Sequence, residues 1–219
     1  METASDPRIY DPACRRCERL VEFLDTVRAR YPAYHAAPVP PFGDAAARLL
    51  VIGLAPGMHG ANATGRPFTG DHAGILLYRT LHRFGFADRA ESQHAADGLT
   101  LHDCRITNAV KCLPPQNKPR PDEVARCRDY LVAELDGMPE GGVLIALGRI
   151  AHETVLRALG LPLKTHAFAH AAEHGLAQAG LTLLDSYHCS RYNTQTGRLT
   201  TPMFEAVFAR ARALLGPRA

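Results

Sequence analysis

The chain has 219 residues, of which 46% are hydrophobic and 21% charged, and we predict one compact soluble domain over residues 1–219. Its 25 basic and 22 acidic residues leave a formal net charge of +3, which is too small to identify a nucleic-acid-binding protein by itself. The start, METASDPRIY, lacks the pattern of a secretion signal, and no run approaches the ~18 apolar residues of a membrane span. We therefore expect a cytoplasmic protein without a membrane partner.

Short apolar runs alternate with amphipathic segments along the chain. The runs and one alternating segment predict strands at residues 49–54, 104–112, 141–148 and 181–187. The amphipathic segments predict helices at residues 72–85, 121–135, 151–160 and 202–215. The second strand is expected to end with Asn108 and Cys112, and the four prolines of residues 113–121 predict a rigid loop after it.

Four successive pairs of strand and helix predict an α/β fold. We expect a three-layer α/β/α sandwich with a central, mostly parallel four-stranded sheet. Ligands of such folds bind beyond the carboxyl ends of the strands. The polar loops GLAPGMHGAN, TNAVKC and HCSRYN follow the first, second and fourth strands and should therefore converge on one edge of the sheet.

Six cysteines in a chain without a secretion signal favour metal or cluster binding over disulfides. Cys14 and Cys17 form a C-x-x-C pair, while Cys112 and Cys127 flank the proline-rich loop. Four thiolates from these segments suit either a structural zinc ion or an iron–sulfur cluster, and the spacing leaves both open. Buried, unreactive thiols are the alternative, which we prefer for Cys104 and Cys189.

The loop after the first strand predicts a ligand pocket. Its glycines match neither the phosphate-binding loop nor the dinucleotide-binding motif. The loop continues into a polar stretch that contains Asn62, Phe68 and Asp71. A ring for stacking, together with amides and backbone donors, is typical of a pocket for a flat polar ligand.

His188 is the candidate active-site histidine, because its imidazole should project from a strand end beside Ser190 and Asn193. A nucleophilic pair with Cys189 is disfavoured, since neighbours in a strand point to opposite faces. His59 and His72 lie within or at the edge of the pocket loop, and their roles stay open. Six others are expected to be hydrogen-bonded loop residues: His35, His94, His102, His166, His170 and His174.

Basic residues cluster on both sides of the predicted site. Residues 105–128 carry six basic side chains, Lys111 among them, and residues 188–219 carry five arginines. Such segments can present a positive surface to phosphates, whereas a solvated surface without a partner is the alternative.

Three motifs in this order, framed by the four cysteines, resemble the iron–sulfur uracil-DNA glycosylases of family 5. They are GLAPGMHGANATGRPFTGD, TNAVKCLPP and HCSRYNTQTGRLT, and the resemblance extends from Cys14 to the last helix. It implies an enzyme that extrudes a damaged nucleotide from DNA and hydrolyses the bond between base and sugar. It also implies a 4Fe-4S cluster held by Cys14, Cys17, Cys112 and Cys127.

The resemblance implies a role for each motif. The base would be bound by Gly53, Leu54, Ala55, Gly57, Phe68 and Asn108. The minor groove of DNA would be entered by Ser190, Arg191, Tyr192 and Asn193. His188 would stabilise the departing base, and Asp71 or Asn62 would orient water or stabilise the sugar cation.

Leu54 and Ala55 stand where related families place a carboxylate or an amide, which is typical of family 5. The resemblance therefore implies a permissive pocket that accepts uracil, hypoxanthine or other altered bases, in single-stranded or double-stranded DNA. We expect a monofunctional enzyme, because no lysine is poised for strand cleavage. We also expect a monomer. The alternatives are a non-catalytic nucleic-acid-binding module with a structural four-cysteine metal site and a hydrolase of free nucleotides.

Overall fold

The computed structural model describes residues 7–217, which form one mixed sheet with helices on both faces. Within these residues the sheet has six strands in the order β1-β3-β2-β4-β6-β5. The strands are β1 (Phe42–Gly43), β2 (Leu49–Gly53), β3 (Cys104–Asn108), β4 (Val143–Leu147), β5 (Glu173–Leu176) and β6 (Leu181–Ser186). The helices are α1 (Glu18–Arg30), α2 (Ala61–Thr64), α3 (His72–Arg83), α4 (Pro121–Asp136), α5 (Arg149–Ala158), α6 (Arg191–Gln195) and α7 (Thr201–Leu215).

The four predicted strands are β2, β3, β4 and β6, and they pair in parallel as expected. The predicted number of strands was wrong, because β1 and β5 add an antiparallel strand at each edge. Strand β1 has only two residues, and β5 reads Glu-His-Gly-Leu, so neither shows an apolar run. The second predicted strand also ends earlier, at Asn108, so that Cys112 lies in the following loop.

Alternate residues of the parallel strands face opposite helical layers. Leu49 and Val51 of β2 belong to a core cluster with residues of α3 and α7. Leu50 and Ile52 of the same strand belong to a cluster with residues of α4 and α5. The sheet is therefore covered on both faces, which confirms the three-layer sandwich and explains why every residue of β2 and β4 is buried.

Helix α1 was not among the predicted elements. Its Leu20, Leu24 and Val27 recur at helical spacing and are buried. They form a third core cluster with Cys112 and Cys127, so the N-terminal segment packs beside the proline-rich loop and α4. Among residues 7–217, no helix combines the length and apolar character needed to cross a membrane.

Candidate functional site

A cavity of about 650 Å³ opens at the carboxyl ends of the parallel strands. Its wall takes residues from the loops after β2, β3 and β6, as predicted. Of the predicted site residues, the wall contains Leu54, Ala55, Gly57, Phe68, Asp71, Asn108, His188, Ser190 and Arg191. Wall residues that were not predicted are Met58, Gly60, Ala61, Gly70, Ala73 and Asn117.

Gly53 ends β2 behind this wall, where it makes room for two of the predicted base-binding side chains. A Cβ atom at this position would lie 2.6 Å from Cζ of Phe68 and would also overlap Oδ1 of Asn108. Phe68 has a φ of 55°, a left-handed conformation that costs energy for an aromatic residue. Its carbonyl group rests on Gly74, where any Cβ would collide with it. Two glycines thus allow the Phe68 ring to stand at the end of the sheet.

Asn108 is the last residue of β3 and is 3% exposed. The turn after it is fixed by backbone hydrogen bonds, from Ala109 N–H to the Gly53 carbonyl at 2.9 Å and from Val110 N–H to the Leu54 carbonyl at 3.0 Å. Because both bonds tie this turn to the loop after β2, the amide of Asn108 is held beside the Phe68 ring.

His188 lies opposite Phe68 on the cavity wall. Their ring centroids are 5.9 Å apart and the ring planes differ by 28°. The backbone of His188 is held by Asn193, whose Nδ2 donates to the His188 carbonyl at 2.8 Å. Burial lowers the pKa of His188 from 6.5 to about 4. The imidazole is therefore neutral at neutral pH and can donate one hydrogen bond into the cavity.

Asp71 caps the N-terminus of α3, since its Oδ1 accepts a hydrogen bond from Gly74 N–H at 2.9 Å. Its other oxygen lies over the loop, where a Cβ at Gly60 would come within 2.7 Å of it. Burial raises the pKa of Asp71 above its ordinary value, while hydrogen bonds from Gly74 and Ala73 oppose the shift. A partly desolvated carboxylate thus faces the cavity with one oxygen free of the cap.

Asn62 lies behind the wall and is not part of it. It is fully buried, and its Nδ2 donates a long hydrogen bond of 3.5 Å to the Met58 carbonyl. Its Oδ1 is buried without a hydrogen-bond partner in the structure. Of the two residues predicted to orient water, only Asp71 therefore reaches the cavity.

Short helix α6 carries the segment predicted to enter DNA. Ser190 caps it by accepting a hydrogen bond from Asn193 N–H, and Tyr192 projects outward with 70% exposure. His72 Nε2 lies 3.0 Å from Thr194 Oγ1 and so ties the start of α3 to this segment. His59, the other histidine whose role was open, lies at the cavity wall with Nδ1 2.8 Å from the Tyr34 hydroxyl.

The four predicted ligand cysteines line one small cavity between α1, the segment after β3 and α4. Cys127 Sγ accepts a hydrogen bond from Lys111 N–H at 3.3 Å. Burial raises the pKa of Cys127 to about 11 and also raises that of Cys112, so these thiols need a cation nearby to act as thiolates. Within residues 7–217, no three cysteine sulfurs lie within 4.8 Å of one another. These four thiols are the donor set that the predicted metal or cluster site requires.

The remaining two cysteines occupy ordinary core positions, as predicted. Cys104 and Cys189 are both fully buried and belong to the core cluster on the α3 and α7 face of the sheet. The predicted placement of Lys111 in a surface segment was wrong. It is 2% exposed, and its Nζ contacts Thr107 Oγ1 and lies 3.1 Å from Glu134 Oε2. This amine is neutralised inside the protein and cannot contribute to a phosphate-binding surface.

Asn117 is the wall residue that sequence reasoning could have found. It follows two prolines and has a φ of 55°, in the left-handed region that asparagine tolerates better than most residues. A polar side chain in a rigid loop after a strand was a signal for the cavity. Together the wall offers a ring face, two amides, a neutral imidazole and a carboxylate, which suits a planar polar ligand.

Comparison with known proteins identifies the family of this chain. The family model described as the uracil DNA glycosylase superfamily matches residues 40–212. A type-5 uracil-DNA glycosylase of Thermus thermophilus is 49% identical over 93% of this chain and 94% of its own length. One of Pyrobaculum aerophilum is 42% identical over 93% and 89%. A type-4 uracil-DNA glycosylase of Archaeoglobus fulgidus is 33% identical over 75% and 69%. The chain therefore belongs to the uracil-DNA glycosylase superfamily.

Proposed function

We propose that this protein removes uracil from DNA by hydrolysing the bond between base and sugar, leaving an abasic site. The observation that carries the proposal is the convergence of Phe68, Asn108 and His188 on one cavity, in a chain whose relatives are type-5 uracil-DNA glycosylases. A duplex hides the target bond, so the nucleotide must leave the helix to reach such a cavity. The relatives do not support the alternative of a non-catalytic module.

In this proposal the extruded base stacks on Phe68 and its pairing edge is bound by the Asn108 amide. The close packing of both residues against Gly53 supports the assignment, because it leaves the ring and the amide little freedom to move. The backbone of Gly53, Leu54, Ala55 and Gly57 would line the remaining edge. Leu54 and Ala55 offer no side-chain polar atom to reject a base, which supports a broader range that includes hypoxanthine.

His188 acts on the leaving group. Negative charge develops on a base oxygen as the bond breaks, and a donor already aimed at that oxygen stabilises it. The low pKa of His188, about 4, supports a neutral donor rather than a general acid. A neutral donor also avoids placing a full positive charge beside the developing sugar cation.

Asp71 is the proposed residue that acts on the sugar cation and on the attacking water. The carboxylate oxygen that does not cap α3 can orient water or stabilise the sugar cation. Asn62, the other candidate, lies behind the wall, so we assign it to the support of residues 57–60 and assign the water to Asp71.

Ser190, Arg191, Tyr192 and Asn193 are proposed to contact DNA. The exposed ring of Tyr192 supports insertion between bases, and Arg191 on the cavity wall supports contact with a phosphate beside the extruded nucleotide. A single domain, a monomeric state and a cytoplasmic location remain predictions.

Cys14, Cys17, Cys112 and Cys127 would hold a 4Fe-4S cluster. Thiolates around one zinc ion at ~2.3 Å lie only ~3.8 Å apart, whereas a cluster spreads its four thiolates over separate iron atoms. That no three of the described cysteine sulfurs lie within 4.8 Å of one another supports the cluster over a single zinc ion. When bound, the cluster would supply a covalent link between α1, the segment after β3 and α4, and no step of the reaction needs it.

The test is an excision assay on oligonucleotides that carry one uracil, one hypoxanthine or only normal bases, each single-stranded and double-stranded. We expect alkali-labile abasic sites from the uracil substrates and no cleavage without alkali. Excess mononucleotide should not compete with uracil-containing DNA. Tight DNA binding without base release would contradict the proposal, and hydrolysis of the mononucleotide alone would favour a nucleotide hydrolase.

A further inference from the structure

A second convergence of titratable side chains lies between α5, β5 and β6, and none of its members belongs to the wall of the base cavity. His152 Nδ1 is 2.8 Å from Asp185 Oδ1, and His174 Nε2 is 3.0 Å from Asp185 Oδ2. One donor atom from each of the three residues lies within 4.8 Å of the other two. In the part of the chain that the structure describes, no other trio of histidine, cysteine or acidic side chains converges so closely.

These three side chains are removed from water. The Asp185 side chain has no exposure, and those of His152 and His174 have only 2% and 11%. A buried carboxylate is costly unless a positive charge lies against it. The buried Asp185 carboxylate therefore calls for a positive charge beside it. The contacts of His152 indicate where that charge lies.

The orientation of His152 is fixed from its far side, because its Nε2 lies 2.8 Å from the backbone carbonyl of His166, which can only accept a hydrogen bond. In a neutral imidazole the second nitrogen, Nδ1, then carries a lone pair that faces the Asp185 carboxylate. The Nδ1 and Oδ1 atoms are 2.8 Å apart, so their lone pairs repel each other unless a positive centre binds both of them. That centre is either a proton or a metal ion.

We propose that His152, His174 and Asp185 bind a divalent transition-metal ion, for which zinc is the best match. Two imidazoles and a carboxylate are donors that zinc takes in proteins, at about 2.0–2.2 Å. One ion neutralises Asp185 and uses the lone pairs of both histidines, whereas with a proton on His152 the His174 ring contributes only a hydrogen bond from its Nε2 to Asp185 Oδ2. The carbonyl of His166 holds His152 as outer-shell acceptors hold metal-bound histidines.

The position of this site gives the ion a structural role that does not depend on the proposed function. The ion would join α5, β5 and β6, with His174 on the edge strand as the partly exposed ligand. Asp185 stands three residues before His188. Gly148, which precedes α5, lies next to His188, since a Cβ atom added at Gly148 would be 3.6 Å from the His188 Cβ atom. The ion would thus brace the two elements that meet at His188.

The test is zinc binding to the full, cluster-loaded chain after dialysis against a chelator, with absorbance near ~400 nm showing that the cysteine centre is intact. Native mass spectrometry and calorimetric titration should find one zinc ion per chain in addition to that centre. His174→Ala should weaken binding by about 100-fold or more, since even outer-shell partners are worth about 10–100-fold. His94→Ala removes an exposed histidine elsewhere and should change nothing.

Zinc at about 100 times its dissociation constant should also raise the Tm of the wild-type chain by about 5–10 °C, and His174→Ala should reduce this rise to about 1–2 °C or less. A wild-type chain with an intact cluster that takes up no zinc overturns the proposal, whether or not the variant folds. Equal binding by the wild type and His174→Ala also overturns it. Binding that disappears only in Cys127→Ser assigns the zinc to the cysteine centre and overturns it too.

Discussion

His188 contributes a single hydrogen bond in the proposed reaction, and its removal isolates that contribution. His188→Ala should lower the single-turnover rate of uracil excision by about 10²–10³, because a donor aimed at the developing negative charge is lost. The side chain lines the cavity and leaves the core clusters intact, so thermal unfolding should change little. An unchanged rate in a variant that still binds DNA would contradict the role.

The neutral state of His188 predicts a pH dependence of stability. Its folded pKa of about 4 lies below the ordinary 6.5, so the unfolded chain binds more protons between these values. The free energy of unfolding should therefore fall as the pH drops from about 6.5 to 4. Denaturant titrations of the wild type and His188→Ala should show a smaller loss in the variant over this window. Parallel curves would mean that the imidazole is not desolvated.

Asp71 caps α3 and is also the proposed catalytic carboxylate, and two substitutions separate these two roles. Asp71→Asn keeps a capping oxygen for α3 but loses the charge, so excision should fall by about 100-fold with little loss of stability. Asp71→Ala should lose a similar rate and about 1 kcal/mol of stability as well. Single-turnover rates and denaturant titrations measure both. A slow Asn62→Ala variant beside a wild-type rate in Asp71→Asn would assign the water to Asn62 instead.

At the scale of single elements, α6 contributes no buried residue to the core and exposes Tyr192, the residue that we propose to contact DNA. Tyr192→Ala should leave stability within about 0.5 kcal/mol, because the ring is 70% exposed. Excision from duplex DNA should fall by about 10-fold, whereas excision from single strands should not, since only a duplex must be held open. Rates on matched single-stranded and double-stranded substrates measure the difference. An equal loss on both would indicate a role inside the cavity.

The segment after β3 links the two centres of the molecule. Asn108, the last residue of β3, lines the cavity at the strand ends, and Cys112 in the segment that follows lines the cysteine cavity. Between them, the buried ion pair of Lys111 with Glu134 and the bond from Lys111 N–H to Cys127 fix the backbone.

At the scale of the whole molecule, the four cysteines of one cavity bring together the N-terminal segment, the segment after β3 and α4. Anaerobically purified protein should absorb near ~400 nm, and Cys112→Ser or Cys127→Ser should abolish the band and lower the Tm. Cys104→Ala and Cys189→Ala are matched controls that should keep the band, because these thiols lie in the hydrophobic core. Absorption spectra and thermal melts measure both effects. A colourless wild type that holds zinc on these four thiols would contradict the cluster.

Much of the fold and of the base cavity could be predicted because their signals are local. The apolar runs of β2, β4 and β6 and the motif order predicted that the loop carrying Phe68, the strand end carrying Asn108 and the loop carrying His188 meet at one edge of the sheet, where the structure has them. Strands β1 and β5 escaped prediction because edge strands this short carry no periodic pattern. Helix α1 has the pattern, with Leu20, Leu24 and Val27 on one face, and could have been predicted.

The sequence by itself determined the layers, the order of the strands along the chain, the motifs and the division of the cysteines into four ligand candidates and two core residues. Only the tertiary structure decided that Asp71 reaches the cavity while Asn62 lies behind it, that Lys111 is buried in an ion pair, and that His188 is neutral. It alone brought together His152, His174 and Asp185 from three elements. The physical reason is that periodicity reports which face of an element is apolar, whereas desolvation and charge pairing depend on residues distant in sequence.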